Sequence, residues 1–202
     1  LDDGGPPNCN GTTLIVKYSV SGINGALTLG TGLPADAWIP SSYNCALDFD
    51  DDYVDVGETI GIREVSFLIN PDNAVNQKVM SLGGGRSIEI AGGAVSAPGF
   101  TNPSIHVDNA NTAKLSPGWH AVTVTTPTAF SATDIDFGRV GGTYFAGSLD
   151  EIKFFDYQWQ TVMPKTSYKP MPPVILLESA ATIPTESRII LMGATFTIPI
   201  EF

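Results

Sequence analysis

The stretch Gly147-Ser148-Leu149-Asp150-Glu151-Ile152-Lys153-Phe154-Phe155-Asp156 decides the fold. It begins with small turn residues and then alternates with a period of two, which predicts a β-strand. Successive side chains of a strand point to opposite faces of the sheet. The alternation therefore places Leu149, Glu151, Lys153 and Phe155 on one face and Asp150, Ile152 and Phe154 on the other.

An earlier segment has a similar character. Ala46-Leu47-Asp48-Phe49-Asp50-Asp51-Asp52-Tyr53-Val54-Asp55-Val56-Gly57 predicts a strand over residues 46–56 that contains an acidic turn. Other short runs, bounded by Gly, Pro, Asn and Ser, predict strands at residues 12–20, 65–69, 78–82, 87–90, 104–107, 119–125, 135–140 and 149–155. Residues 21–42 are predicted to be irregular. Many short strands separated by turns predict an all-β fold, an antiparallel β-sandwich.

The composition of the chain limits its class. Its 202 residues suit one β-sandwich domain with an extension. Hydrophobic residues make up 43%, which is enough for a sizeable core, and charged residues only 15%, against about 25% in a typical globular domain. A surface with so few charges is typical of a subunit packed against neighbours, and also of secreted β domains.

The net charge of −11 restricts the partners. Contact with phosphates needs clustered Lys and Arg, and the 10 that are present are scattered, so nucleic acid is excluded. The same sign disfavours anionic membranes, and no apolar run approaches the ~20 residues of a spanning helix, so no membrane insertion is expected. Calcium, neutral sugars and proteins remain compatible partners. Because the chain begins with Leu1 rather than Met, we expect a start that was removed.

Both ends of the chain differ from the strand-rich middle. An amino-terminal arm over residues 1–11 precedes the predicted sandwich over residues 12–163, which ends in a short candidate helix at 157–163. Four prolines within residues 164–173 predict a stiff linker. Residues 174–202 follow as a β-hairpin extension, with strands at 174–177 and 188–200 and a loop at 182–187. Two apolar strands alone are marginal in water, so this extension is a predicted assembly element.

Four blocks, taken in order, resemble one family. They are Ala46-Leu47-Asp48-Phe49-Asp50 with Asp52-Tyr53-Val54; Val65-Ser66-Phe67-Leu68-Ile69-Asn70-Pro71; Leu115-Ser116-Pro117-Gly118-Trp119-His120-Ala121-Val122; and Phe137-Gly138-Arg139-Val140-Gly141-Gly142, which runs into Phe145-Ala146-Gly147-Ser148-Leu149-Asp150-Glu151-Ile152. Over residues 12–160 the chain resembles the laminin-G-like (concanavalin A-like lectin/glucanase) jelly rolls. The resemblance implies a lectin-like binding domain. Asp51 departs from the glycine that the family often has after its Phe-Asp pair.

The resemblance also implies a calcium site. Similar domains often hold a structural Ca²⁺ near such acidic residues, and this ion prefers six to eight oxygen ligands. The positions implied here are Asp50, Asp52 and Asp150. The alternative is a solvated acidic turn together with a buried aspartate that accepts backbone N–H bonds.

Cys9 and Cys45 are the only cysteines in the sequence. An even pair fits one disulfide in an oxidising compartment. The sequence leaves open two unpaired thiols instead, because it does not show whether the two Cα atoms come within ~7 Å of each other.

Aromatic residues in loops are candidates for ligand binding. Trp38 and Tyr144 are predicted in loops, where an aromatic face can stack on a sugar ring or fill a partner's pocket. The alternative is an aromatic side chain folded back over the core. Trp119 is expected inside, as in the family, and His120 on the opposite face as a satisfied polar side chain rather than a catalyst.

No catalytic motif is present. The chain lacks paired carboxylates at glycosidase spacing, Gly-x-Ser-x-Gly and His-Glu-x-x-His, so we expect no enzyme. By analogy with lectin-like heads of viral fibres, we expect a virion or extracellular module, a phage tail fibre or spike, that binds host-surface glycan or protein. Its expected partners are copies of itself or other virion proteins. Two alternatives are a secreted bacterial carbohydrate-binding or adhesion module stabilised by calcium, and a purely structural capsid or tail protein.

Overall fold

The computed structural model describes residue 9 and residues 15–16, 25–32, 36–41, 44–156, 186–191 and 194–199. The chain forms two compact units, Leu1–Tyr168 and Lys169–Phe202. Strands and turns dominate the described residues, and none of these residues lies in an α-helix. The predicted all-β class is therefore confirmed. The candidate helix at 157–163 lies outside the described residues.

The strands of the first unit are short, apart from two. In chain order they are β1 (Ile15–Val16), β2 (Gly25–Thr28), β3 (Trp38–Ser41), β4 (Asn44–Phe49), β5 (Tyr53–Pro71), β6 (Asn76–Leu82), β7 (Ser87–Ala91), β8 (Ala94–Ser96), β9 (Ser104–Val107), β10 (His120–Phe137), β11 (Arg139–Val140), β12 (Thr143–Tyr144) and β13 (Gly147–Phe155). The second unit contributes β14 (Glu186–Leu191) and β15 (Ala194–Pro199).

One large antiparallel sheet organises the first unit. Its strands follow the order β3-β4-β13-β5-β10-β6-β7-β8. Strand β2 pairs with β1 and β5, and β9 pairs with β10. Strands β11 and β12 form a separate two-stranded hairpin. All of these pairings are antiparallel, as predicted.

The two long strands divide the large sheet into two portions. Residues 64–69 of β5 pair with 120–125 of β10, and residues 54–57 pair with 135–137, with register shifts between them. The first portion carries β13, β4, β3 and β9, and the second carries β2, β1, β6, β7 and β8. A sheet whose register shifts can bend at that point.

Side chains from both portions share one hydrophobic core. Phe67 and Val122 face each other across β5 and β10 and are fully buried. Phe137, from the second portion, stacks on Phe154, from the first, with ring centroids 6.1 Å apart. Buried Leu47, Leu149, Ile152, Met80 and Ile88 belong to the same cluster. The alternating residues of the sequence therefore build a single interior.

Three predicted strand boundaries were wrong. The acidic turn predicted within the strand at 46–56 is present at residues 50–52, but it separates two strands, β4 and β5, and β5 continues to Pro71. The strands predicted at 119–125 and 135–140 belong largely to one strand, β10, which begins at His120 and ends at Phe137. The stretch at 21–42, predicted to be irregular, contains β2 and β3.

The segment at residues 147–155, which forms β13, contains a β-bulge. Asp150 pairs with Leu68 and Lys153 with Ser66, so β13 carries one more residue than β5 over this interval. Glu151 takes up the extra length with a φ of 51°. Strict alternation is lost, because a bulge places two residues opposite one. Leu149 and Ile152, predicted on opposite faces, both lie in the core.

The second unit contains an antiparallel strand pair. Its register runs from Glu186↔Pro199 to Leu191↔Ala194. The prediction of one continuous strand at 188–200 was therefore wrong, since this range contributes to both strands. The partner predicted at 174–177 lies outside the described residues.

Candidate functional site

The acidic turn at residues 50–52 joins β4 to β5 and is held by backbone donors. Both carboxylate oxygens of Asp51 accept the Thr31 N–H, at 2.9 and 3.0 Å. Oδ1 of Asp52 accepts the Gly30 N–H at 2.7 Å. Asp50 is exposed. The turn therefore forms without glycine or proline of its own, because residues 20 and 22 positions earlier hold it in place.

The carboxylates in and beside this turn repel one another. Burial raises the pKa of the Asp52 carboxyl. The neighbouring carboxylates of Asp48, Asp50 and Asp51 raise it further, while the hydrogen bond from Gly30 opposes the shift. The turn is thus a strongly negative patch, because several carboxylates share it and no cation is among the groups that shift this pKa.

Asp48 extends the negative patch along β4. Its Oδ1 accepts the Ser148 hydroxyl hydrogen at 2.8 Å. Burial raises the pKa of the Asp48 carboxyl, and repulsion from Asp72 and Asp50 adds to the shift. The carboxylates of two different loops therefore meet at this end of the sheet.

An aromatic pair lies beside the acidic turn. Tyr53 begins β5 directly after it. The loop predicted for Tyr144 was wrong, because Tyr144 pairs with Arg139 of β11 and so lies in the short strand β12. The two tyrosine rings have centroids 6.5 Å apart and are inclined by 46°. Tyr144 is 38% exposed; it and Val75 are the large apolar side chains that the described part of the chain exposes. We call Tyr53, Tyr144 and Arg139 the tyrosine surface.

Arg139 fixes the tyrosine surface. Its Cζ lies 3.4 Å from the centroid of the Tyr53 ring, in the position of a cation–π contact. Its Nε and Nη2 donate to Oδ2 of buried Asp136 at 3.1 and 2.8 Å. Burial lowers the pKa of Arg139, but the bond to Asp136 outweighs that effect and the net shift is upward. The guanidinium is therefore charged, and Asp136 occupies its Nε–Nη2 edge.

Gly138 seats the β11–β12 hairpin on the core. Its N–H donates to the Val79 carbonyl at 2.8 Å, and its carbonyl accepts the Phe145 N–H at 2.9 Å. A Cβ at this position would lie 2.3 Å from the Phe49 ring and 2.9 Å from the Asp52 carbonyl oxygen. Since Phe49 immediately precedes the acidic turn, Gly138 packs the start of the hairpin directly against the turn.

Trp38 lies in β3 rather than in a loop, and it is only 5% exposed. It borders a small cavity, and its indole Nε1 has no hydrogen-bond partner. The other residues around this cavity are Val16, Cys45, Leu47, Leu149, Asp150 and Ile152. A buried indole offers no face to a sugar ring, so Trp38 is not part of the tyrosine surface. The loop placement of Trp38 was wrong because β3 falls in a stretch without alternation.

Cys9 and Cys45 form a disulfide, with their Cα atoms 5.5 Å apart. Cys9 is buried, and Cys45 lies in β4 opposite Pro40 of β3. The bond therefore ties a residue near the start of the chain to the same sheet that carries the acidic turn.

The three carboxylates expected to bind calcium have different surroundings. Asp150 is buried, and its oxygens accept the Ser41 hydroxyl at 2.7 Å and the Glu151 N–H at 2.8 Å. Asp52 binds Gly30 and Asp50 is exposed. Within the described ranges, no three His, Cys, Asp or Glu residues are grouped so as to hold a metal ion. These residues do not fit a calcium site as they stand, and calcium binding stays a prediction from the resemblance.

Burial raises the pKa of Asp150 to about 6, from 3.8. The folded protein then holds this proton more tightly than the unfolded chain, so the contribution of Asp150 to stability falls as pH rises from about 3.8 to about 6. Asp150→Asn, measured in EDTA, should remove this fall. Relative to the wild type, the variant should gain on the order of 2–3 kcal/mol in unfolding free energy between pH 4 and pH 7. Urea denaturation curves of both proteins at pH 4 and pH 7 test this prediction. The same change in unfolding free energy for the wild type and the variant between the two pH values would refute it.

A histidine network lies at the start of β10. His120 is buried, with Nδ1 2.8 Å from Oδ2 of Asp108 and Nε2 3.1 Å from Oγ of Ser116. Through these contacts Ser116, His120 and Asp108 follow one another as a nucleophile, a base and an orienting acid would. However, Nε2 also lies 2.8 Å from the Ser116 carbonyl oxygen, and Pro117 supplies no N–H for an oxyanion. These contacts fit a structural role for His120, in which it holds the turn at residues 116–119, better than activation of a nucleophile.

Trp119, which was expected in the interior, is half-buried.

Tyr144 was the one residue of the tyrosine surface that the sequence singled out. Tyr53 and Arg139 were missed, because only the register of β11 and β12 and the approach of β5 bring them beside it. A signal for the hairpin was present in the glycines at 138, 141 and 142, which mark tight turns on both sides of Arg139 and Val140.

No helix in the portion that the structure describes is long and apolar enough to cross a membrane. Comparison of the chain with protein-family models, with curated proteins and with solved structures finds no match. Its function must therefore be inferred from the residues and their geometry.

Proposed function

We propose that this chain is a non-catalytic recognition module of a virion appendage, such as a tail fibre or spike. It binds a host-surface glycan or protein through the tyrosine surface and assembles through its C-terminal strands. The observation that carries the proposal is Tyr144, an exposed aromatic side chain held beside Tyr53 and the acidic turn.

The fold that we propose for the first unit is a β-sandwich of the laminin-G-like jelly-roll type. Its support is the division of β5 and β10 into two portions, joined by register shifts. The stacking of Phe137 on Phe154, one from each portion, is what two facing layers would produce. Loops at one end of such a sandwich commonly carry the binding site.

The geometry of the tyrosine surface suits binding. Arg139 holds the Tyr53 ring through a cation–π contact, and Asp136 holds Arg139 in turn. Side chains fixed before binding lose little conformational entropy when a ligand arrives. Tyrosine combines an apolar face, which can pack on the C–H groups of a sugar, with a hydroxyl that forms hydrogen bonds.

Tyr144→Ala is expected to weaken binding to host-cell envelopes or to a glycan-array ligand by about tenfold or more, because exposed tyrosine anchors often contribute over 1 kcal/mol. Tyr144→Phe, which keeps the ring, should retain most of the affinity. Val75→Ala, at the other exposed apolar position, should bind as the wild type does. Surface plasmon resonance on the four proteins measures this. Equal binding by all four, or a larger loss for Val75→Ala, would refute the site.

The assembly part of the proposal concerns residues 174–202. The described strands β14 and β15 pair only with each other, and a lone pair of strands is marginal in water. Size-exclusion chromatography with light scattering should show an oligomer for the full chain and a monomer after deletion of residues 174–202. A full-length monomer, unchanged by the deletion, would contradict assembly through these strands.

A further inference from the structure

We infer that the tyrosine surface selects uncharged sugar units and rejects anionic ones such as sialylated or sulfated sugars. The inference rests on the proposed function and names the class of ligand for that same site. It is drawn from the charges that surround the two rings.

The cation at the tyrosine surface is already paired with a buried carboxylate. Arg139 is the cation that contacts Tyr53, and both its Nε and Nη2 donate to Asp136. Its Cζ lies over the Tyr53 ring. To bind a carboxylate or sulfate through its Nε and Nη2, Arg139 would have to leave buried Asp136 uncompensated, which is unfavourable. An anion at the remaining Nη1 end would meet a positive charge that Asp136 already offsets.

The adjoining field is negative. The turn at residues 50–52 contributes three carboxylates, and Asp48 and Asp72 lie close enough to repel within the same group. That repulsion already contributes to the raised pKa of Asp48 and of Asp52. A charged sugar would add a further negative charge to this field, whereas a neutral sugar adds none.

The same carboxylates can serve a neutral sugar. A carboxylate accepts hydrogen bonds at about four lone-pair positions, and Asp50 is exposed. Sugar hydroxyls are donors, and hydrogen bonds to an ionised acceptor are stronger than those between neutral groups. An aromatic face for the apolar side of the ring, with acceptors at its margin, therefore fits a polyhydroxylated, uncharged ligand.

The test compares oligosaccharides that share one backbone and differ only in a sialic acid or sulfate group. Isothermal titration calorimetry at low ionic strength should give at least tenfold tighter binding for the uncharged member. The difference in affinity should shrink at about 0.5 M salt, where the Debye length is only about 4 Å. Asp50→Asn should narrow the difference. Asp156→Asn should not, because Asp156 follows the far end of β13 from Gly147, the residue that pairs with Phe49 beside the turn.

The possible results separate the two proposals. Equal or tighter binding of the charged sugar, with affinity still lost in Tyr144→Ala, would overturn the selectivity and leave the recognition site standing. Binding that does not respond to Tyr144→Ala, or no binding by either sugar, would overturn glycan recognition at this surface and the selectivity with it.

Discussion

Gly138→Ala should lower the free energy of unfolding by about 2–4 kcal/mol, whereas Gly142→Ala should cost about 1 kcal/mol. Both glycines have nearly the same positive φ, 82° and 81°, so both alanines meet the strain that an L residue has at such a φ. Only at Gly138 would the new Cβ also collide with the Phe49 ring, since nothing lies within 4 Å of it at Gly142. Urea denaturation of the two variants and the wild type separates the collision from the strain.

The same substitution should reach the tyrosine surface. A shift of Phe49 or of the β11–β12 hairpin moves Tyr144 relative to Tyr53, so Gly138→Ala should also weaken binding while Gly142→Ala retains it. Equal destabilisation by the two alanines would show that Gly138 is not packed against Phe49 in solution.

Removal of the disulfide is the second large effect. Cys9→Ser with Cys45→Ser should cost about 4 kcal/mol, because the bond closes a loop with a sequence separation of 36 and its loss frees the unfolded chain. Wild-type protein in reductant should unfold at the same urea concentration as the double variant, and the variant itself should not respond to reductant.

The outcome that would contradict this prediction is equally direct. If oxidised wild type and the double variant unfold at the same urea concentration, the bond between Cys9 and Cys45 does not constrain the chain. Mass spectrometry of the alkylated, unreduced protein provides the control, since two labelled thiols would show that the disulfide had not formed.

Alternation was enough to predict the strand class and much of the interior. Residues such as Phe67 and Val122 lie where a period of two places them, and both are buried. The bulge at Glu151 could not be predicted in this way, because an extra residue changes which face every later side chain occupies and leaves no mark in the composition.

Long-range contacts account for the other differences. The turn at residues 50–52 depends on N–H groups of Gly30 and Thr31, which no local pattern around Asp51 reveals. The continuity of β10 through Pro127 was missed, since proline normally interrupts or limits a strand. In both places tertiary pairing overrides the local signal.

The candidate site was predictable only in part. Tyr144 was named because it was predicted in a loop; it lies instead in the short strand β12, where it is exposed. Trp38 was named on the same grounds and is buried, because an aromatic residue between turn signals can lie in a short edge strand as readily as in a loop. The pairing of Tyr144 with Tyr53 required the fold.

The most direct test of the account is an amide NMR titration of the isotopically labelled protein with the uncharged oligosaccharide that it retains best on a glycan array. The largest shift changes should fall on residues 50–53 and 139–144, and should disappear in Tyr144→Ala. Changes that centre on residues 104–120, around the histidine network, and persist in that variant would contradict the claim that this chain recognises its ligand through the tyrosine surface.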